Sequence, residues 1–344
     1  MSEIETLSHH AQTIYSEILD QIDFLDFNGK NIYFTQKQVK GNPYLYAAVK
    51  LGETRIERSI GPDNKSTRER ILEIKENWKL SKLKHKERAR LVSAFISAGG
   101  NAPTQQEAKV LAVLANGGLF YAGATLIGTP AFQALGNHLG VSWPSSTQTE
   151  DLDLAIEQTL PIGIAKRELD LGKMLQSSGI PFIEIPALNL KSPTTSYRIR
   201  NKNYRVELFT PMIGPTSSHP VSVFNNKSFA EPLRFLDYLL TDTQEAIIPA
   251  ITGIRVNIPN PARFALHKLV ISQRRGSKIT KARKDLIQAE LILDVLFQIQ
   301  PGLVIDAYLA AKEYNEKFLQ QLQTAKNLIS PEVQLSWDKW LRDT

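Results

Sequence analysis

The segment Asp151-Leu152-Asp153-Leu154 constrains the fold of this chain more than any other short stretch. Side chains alternate between the two faces of a β-strand, so a strand here directs both leucines to one face and both aspartates to the other. The pattern predicts that the leucine face is buried, and that the other face presents two carboxylates about 7 Å apart. Such a pair suits a hard cation such as Mg²⁺, which takes oxygen ligands. An exposed acidic strand end is the alternative interpretation.

A second feature is the apolar run 119–127, which leads into Gly128-Thr129-Pro130. It predicts a buried strand over 119–127 followed at once by a helix over 130–139. Glycine lets the backbone approach a phosphate closely, threonine offers a hydroxyl, and a helix N-terminus favours anions. Gly128 and Thr129 are therefore candidate phosphate-binding residues, with an ordinary strand–helix turn as the alternative.

A third feature is a lone carboxylate, Glu207, in an otherwise alternating strand predicted over 204–210. A strand over 196–200 precedes it, and the pair is predicted to form a hairpin over Asn201-Lys202-Asn203. A solvent-facing glutamate on that hairpin is the simpler alternative.

The rest of the chain divides into three predicted parts. Residues 1–100 combine a helix over 4–27, short strands over 31–34, 44–50 and 54–60, and a long helix over 65–99. Residues 101–258 mix helices, among them 105–116 and 164–177, with strands that include 182–185 and 254–258. Residues 259–344 are helical, with helices predicted over 262–274, 279–297, 305–323 and 331–342. The expected class is α+β, with a small N-terminal meander and a C-terminal helical bundle.

Composition excludes several function classes. The chain has no cysteine, which rules out disulfides, thiolate metal sites and cysteine nucleophiles. No apolar run reaches the roughly 18 residues of a membrane span, and the acidic start Met1–Glu5 lacks the features of a signal peptide. We therefore expect a cytoplasmic protein without a membrane partner.

Positive charge is concentrated in one region. The net charge is +6, and residues 255–284 contain nine Lys or Arg and no acid, which leaves 32 basic against 35 acidic residues elsewhere. Such a surface attracts the phosphates of a nucleotide or a nucleic acid. A solvated helix face is the alternative. The N-terminal strands also mix aromatic with basic residues; this pattern fits nucleic-acid binding, or a small sheet that packs its aromatics inward.

The three features occur together in the order found in the nucleotidyltransferase fold of the DNA polymerase beta superfamily, and residues 118–210 resemble that fold. The chain looks most like a poorly characterised bacterial family of this superfamily, and the matches run through most of residues 118–285. Four segments carry the resemblance: Gly128-Thr129-Pro130-Ala131-Phe132, Thr149-Glu150-Asp151-Leu152-Asp153-Leu154-Ala155, Arg205-Val206-Glu207-Leu208-Phe209-Thr210-Pro211 and Pro261-Ala262-Arg263-Phe264-Ala265-Leu266-His267-Lys268-Leu269. The chain departs from the usual pattern in having Thr129 for serine or glycine, Glu207 for aspartate, and a longer gap in which 140–146 is expected to form a loop over the site.

The resemblance implies a mixed-sheet catalytic core and a reaction. Asp151 and Asp153 would hold two Mg²⁺ or Mn²⁺ ions, and Glu207 would hold the ion that activates the attacking hydroxyl. Gly128 and Thr129 would cradle the phosphates of a nucleoside triphosphate. The acceptor would be a hydroxyl on RNA, which the basic stretch favours, on a protein or on a small molecule.

Lys268 and Asp285 complete the predicted site. A lysine on one helix and a Lys-Asp pair on the next resemble the arrangement in nucleotidyltransferases of abortive-infection and toxin–antitoxin systems. By that comparison Lys268 would contact the triphosphate, Asp285 would orient it or a basic neighbour, and an antitoxin would be a possible partner. An amphipathic helix with a wet basic face is the alternative for this segment. A catalytically degenerate binding protein, or a toxin module, is the alternative for the whole chain.

Overall fold

The structure is a computed structural model that describes residues 4–22, 32–39, 41–51, 54–143, 151–158, 169–187, 189, 192–215 and 219–342. It has the predicted α+β architecture: a central mixed sheet with helices, a C-terminal group of helices and a small N-terminal meander. In this part of the chain, no helix combines the length and apolar character needed to cross a membrane.

The N-terminal part contains the predicted meander. Its elements are β1 (Glu5–Thr6), α1 (His9–Gln21), β2 (Ile32–Val39), β3 (Asn42–Leu51), β4 (Thr54–Pro62) and α2 (Lys65–Ser97). The strands form a three-stranded antiparallel sheet in the order β2-β3-β4. The predicted helix over 4–27 was too long at its start, because Ser8 caps α1 by accepting a hydrogen bond from the Ala11 amide. Residues 23–27 lie outside the described part.

The first helix contacts the central sheet. The Tyr15 hydroxyl accepts a 3.1 Å hydrogen bond from the Ile247 amide. Tyr15 also packs against Phe95 of α2, within a cluster of buried apolar residues that includes Ile247. The boundaries near residues 100 and 258 remain predictions.

The middle of the chain builds one nine-stranded sheet. Its elements in chain order are α3 (Gln105–Asn116), β5 (Thr125–Ile127), α4 (Gly128–Leu139), β6 (Val141–Ser142), β7 (Asp151–Ala155), α5 (Leu171–Ser177), β8 (Phe182–Glu184), β9 (Ser196–Ile199), β10 (Arg205–Pro211), β11 (Val221–Val223), β12 (Ser228–Leu233), α6 (Leu236–Leu240), β13 (Gln244–Ile248) and β14 (Ile254–Ile258). The main path is β11-β12-β10-β7-β5-β14-β13, and the predicted hairpin of β9 with β10 extends it to β8. Strand β6 pairs with β1 instead.

Two predictions in this part were wrong. The buried strand expected over 119–127 is a strand only over Thr125–Ile127. Gly118 and Gly123 have φ of +82° and +91°, which breaks an extended backbone, and the Asn257 side chain binds the turn carbonyls. The expected loop over the site, 140–146, is not a loop at its start, because residues 141–142 form β6 and Trp143 stacks on Phe132. Residues 144–146 lie outside the described part, as do 164–168 of the helix predicted over 164–177.

The C-terminal part is helical as predicted. It contains α7 (Pro261–Ser272), α8 (Ile279–Ile299), α9 (Pro301–Tyr314), α10 (Glu316–Lys326) and α11 (Pro331–Leu341). The single helix expected over 305–323 is in fact α9 and α10. Asn315 interrupts it with an extended backbone, and its side chain accepts a hydrogen bond from the Phe318 amide to start α10.

Candidate active site

Strand β7 divides its side chains as the sequence predicts. Leu152 and Leu154 are fully buried in the main core, and Asp151 and Asp153 lie half-buried on the opposite face. Strand β10 runs parallel to β7 and places Glu207 directly beside Asp153. The structure therefore brings the three predicted carboxylates onto one face of two neighbouring strands, which lie about 5 Å apart.

Asp153 is the electrostatic centre of this row. Burial and the charges of Glu207 and Asp151 raise its pKa to about 7, against a weaker lowering effect of Lys268 and Lys281. A carboxylate in this position binds a proton more readily than a free one does, because burial and the neighbouring carboxylates both disfavour its charged form. The row therefore has unbalanced negative charge at its middle, and a cation would relieve it.

The two outer carboxylates interact with protein donors. Asp151 Oδ2 lies 3.4 Å from Lys281 Nζ, and Glu207 Oε1 accepts a 3.1 Å hydrogen bond from Ser196 Oγ. Within the described residues, no group of three or more His, Asp or Glu side chains is close enough together to hold a metal ion. Like-charged carboxylates repel one another, so outward rotation toward Lys281 and Ser196 is the expected arrangement without a cation.

Gly128 lies against Asp153. Its φ is +67°, and a Cβ at this position would overlap Asp153 Oδ2. The site therefore requires glycine for two reasons, a left-handed backbone and close packing on the central carboxylate. Helix α4 begins here without a side-chain cap, which leaves its first-turn amides available to an anion.

Thr129 is buried and faces helix α8. Gln288 Nε2 approaches the Thr129 hydroxyl at 3.4 Å, and Gln288 is itself fully buried. Gln288 thus restricts the position of Thr129, the second residue of the predicted phosphate loop.

Lys268 and Asp285 form a buried ion pair. Lys268 Nζ donates to Asp285 Oδ1 at 2.5 Å, and Arg275 Nε donates to Asp285 Oδ2 at 2.6 Å. Burial alone would raise the pKa of Asp285, but the Lys268 charge and these hydrogen bonds hold it below the usual value. Asp285 therefore orients two cations beside the site.

A cavity of about 360 Å³ lies beside Gly128, Asp153 and Lys268. Gly128 and Asp153 contribute to one wall, Lys268 and Arg275 to another, and apolar side chains line much of the remainder. His267 also lines it; burial lowers the pKa of this imidazole to about 3, so the ring is neutral at physiological pH. The cavity combines a carboxylate, cations and apolar surface, as a nucleotide requires.

One face of helix α8 reaches three parts of the site. Lys281, Asp285 and Gln288 are spaced by four and three residues, so they share a helix face. They contact, respectively, Asp151 on β7, Lys268 on α7 and Thr129 on α4.

The sequence interpretation missed several of these residues. Ser196 lies opposite Glu207 in the observed register, which the predicted hairpin alone does not fix. Gln288 follows from helical spacing after Asp285. Glu231, whose pKa is raised by desolvation and by the Glu207 charge, lies on β12, a strand that the sequence pattern did not predict. Pro232 within that strand obscured its pattern.

Comparison with known proteins identifies the family. Residues 105–313 match the model of a family described as nucleotidyltransferase, and the chain belongs to this family. A solved structure, an antigenic nucleotidyltransferase-like protein from Paracoccidioides brasiliensis, is 16% identical over 64% of this chain and 93% of its own length. Its TM-score is 0.32. The family membership is shown by the match over residues 105–313. No curated protein matches the chain.

Proposed function

We propose that this protein is a metal-dependent nucleotidyltransferase that moves a nucleotide from a nucleoside triphosphate to a hydroxyl. One observation carries the proposal. Asp153, the middle carboxylate between Asp151 and Glu207, lines one cavity with Gly128 at the uncapped start of α4 and with Lys268 of the Lys268–Asp285 pair. These are the parts that phosphoryl-centre chemistry needs, since it depends on positioning and charge neutralisation.

The donor set fits Mg²⁺ or Mn²⁺. It consists of carboxylate oxygens on two neighbouring strands, and carboxylate oxygens are the ligands that these ions prefer. Asp151 and Asp153 would hold two ions, and Glu207 would hold the one at the acceptor. When bound, these ions neutralise phosphate charge and lower the pKa of the attacking hydroxyl.

The chain's own residues would then have distinct roles. The α4 amides, the Thr129 hydroxyl and Lys268 bind the triphosphate, and Asp285 and Gln288 fix the position of these groups. The acceptor oxygen forms a bond to the α-phosphorus while the bond from that phosphorus to pyrophosphate breaks. The hydroxyl proton passes to Glu207.

Some finer assignments belong to the same proposal. Membership of the DNA polymerase beta superfamily and similarity to toxin or abortive-infection nucleotidyltransferases are supported by the motifs of Asp151, Asp153 and Lys268. An RNA, protein or small-molecule acceptor, an antitoxin partner and a cytoplasmic location stay predictions. The main rival is a degenerate protein that binds nucleotide or nucleic acid without turnover; the engagement of Asp151 by Lys281 is the observation in its favour.

Label transfer separates the enzyme from the binder. The protein is incubated with each α-labelled nucleoside triphosphate, Mg²⁺ or Mn²⁺ and fractions of a cell extract, and the labelled fraction is identified. Lys268→Ala should weaken nucleotide binding and transfer together, because both depend on the same phosphate contact. Asp306→Asn, an exposed change on α9, is the control and should transfer normally. A wild-type protein that binds its ligand but labels nothing would show that the binder interpretation is right.

A further inference from the structure

The β9–β10 hairpin carries a second group of cations, outside the basic stretch 255–284. Four basic residues lie on it and all are exposed: Arg198, Arg200, Lys202 and Arg205. Lys202, in the turn, donates a hydrogen bond to the Gln106 side chain. Arg198 and Arg205 lie within the strands themselves.

Arg198 and Arg205 are direct cross-strand neighbours beside the carboxylate row. Arg205 pairs in register with Arg198 on β9, and Glu207 with Ser196. Alternation places Arg205 on the same face as Glu207, and Arg198 on the same face as Ser196. The arginine row is therefore two residues, about 7 Å, from the row of Glu207 and Asp153.

Two positive charges lie directly opposite each other in this arginine pair. Like charges directly opposite on an antiparallel pair destabilise it. Across the described residues, neither arginine makes an ion pair or a side-chain hydrogen bond. On the other side of β10, Asp151 of β7 is in register with Arg205. The carboxylate of Asp151, however, forms an ion pair with Lys281. On β8, the next strand beyond β9, the residue in register with Arg198 is Ile183, which has no charge. Exposed and without an ion pair among the described residues, the two guanidinium groups can bind an anionic ligand beside the carboxylates.

We propose that Arg198 and Arg205 bind the backbone phosphate of an RNA strand whose terminal ribose hydroxyl is the acceptor. This inference rests on the proposed function, because it identifies the second substrate of the same site. Guanidinium groups fit phosphate oxygens in a fork, and phosphate contacts position a strand without reading its sequence. The separation of the two rows is about one nucleotide, so a phosphate on the arginines would place the terminal hydroxyl at Glu207. A serine or tyrosine acceptor brings no phosphate to fill the arginine row.

RNA binding without nucleotide or metal tests the inference separately from catalysis. The probe is a fluorescein-labelled single-stranded RNA of about twelve nucleotides, followed by anisotropy over a range of salt concentrations. The wild type is compared with Arg198→Ala/Arg205→Ala and with Arg90→Ala, a matched control on the exposed face of α2. The double variant should bind the RNA at least tenfold more weakly. The slope of log affinity against log salt should fall by about 0.7, because one neutralised phosphate is lost. Arg90→Ala should match the wild type.

Nucleoside triphosphate affinity is measured on the same samples. It should be unchanged in the double variant, because the arginines are not part of the triphosphate site, and thermal denaturation should show an intact fold. The inference is overturned if the wild type does not bind the RNA, if the double variant binds it equally well, or if a poly-glutamate peptide competes as well as unlabelled RNA. Failure of the proposed function has a different signature: RNA binding keeps its dependence on the arginines, but no label is transferred.

Discussion

Two charged clusters lie side by side in this protein, and they are balanced differently. In the α7–α8 cluster, Asp285 is enclosed by Lys268 and Arg275, and its pKa is below the usual value. In the β7–β10 row, Asp153 is surrounded by other carboxylates, and its pKa is raised to about 7. The charges of the first cluster are balanced within the protein, whereas the second has an excess of carboxylates, which we propose a cation neutralises. We therefore assign a positioning role to the balanced cluster and the reaction to the unbalanced one.

The largest expected effect comes from the unbalanced row. Asp153→Asn should lower label transfer by at least about a hundredfold, because the central ligand of both metal ions is lost. Nucleotide affinity should stay within about tenfold, since Thr129 and Lys268 remain. Transfer rates and nucleotide binding are measured beside Asp306→Asn. Equal transfer by the two variants would remove Asp153 from the mechanism.

Breaking the balanced cluster should affect stability first. Asp285→Asn leaves Lys268 buried without a counter-charge, and such losses cost about 3 kcal/mol. Chemical denaturation measures the free energy of unfolding. Changing both partners, as Lys268→Met/Asp285→Leu, should recover part of that loss because no unpaired buried lysine remains. If the single variant is as stable as the wild type, the pair does not hold this cluster together.

Alanine substitutions at two glycines test whether the close packing of Gly128 on Asp153 is needed for nucleotide binding. Gly128→Ala should weaken nucleotide binding about tenfold and lower stability, because the new methyl group overlaps Asp153 and the residue has a positive φ. Gly179→Ala shares the positive φ, at +71°, but meets open space, so it measures backbone strain alone. Similar nucleotide affinity in both variants would mean that the Gly128–Asp153 packing is not needed. Gly128→Val should disturb the fold further, because a larger side chain overlaps Asp153 more.

The smallest effect is a pH dependence of stability in chelator. The pKa of Asp153 is raised on folding, so its contribution to stability is fully present below the unfolded value near 4 and is lost as pH rises through about 7. Asp153→Asn should therefore raise Tm by a few degrees at pH 8 relative to wild type, and by less at pH 5. Differential scanning calorimetry at both pH values measures this. A Tm difference that is constant with pH would show that Asp153 does not titrate in this range.

Much of this arrangement follows from local sequence patterns. Alternation in Asp151–Leu154 places the carboxylates correctly, and Thr104 caps α3 at its predicted start. Helix α7, capped by Asn260, begins one residue before the predicted start. These features depend on neighbouring residues alone, so the sequence pattern is sufficient to predict them.

The missed features depend on distant contacts. The short length of β5 depends on Asn257, more than 100 residues away, which holds the turn before it. Strands β11 to β13 are short or contain proline, so periodicity does not reveal them. The pairing of Lys281 with Asp151 joins residues 130 positions apart and becomes visible only in the folded chain.

Manganese binding tests whether the carboxylates of the β7–β10 row form the metal site. The free Mn²⁺ signal is followed by electron paramagnetic resonance as protein is added, with a non-hydrolysable nucleoside triphosphate present. We expect the wild type and Asp306→Asn to remove Mn²⁺ from solution with similar affinity, and Asp153→Asn to do so at least tenfold more weakly. Equal Mn²⁺ affinity in the wild type and Asp153→Asn would contradict the assignment of the β7–β10 row as the metal site.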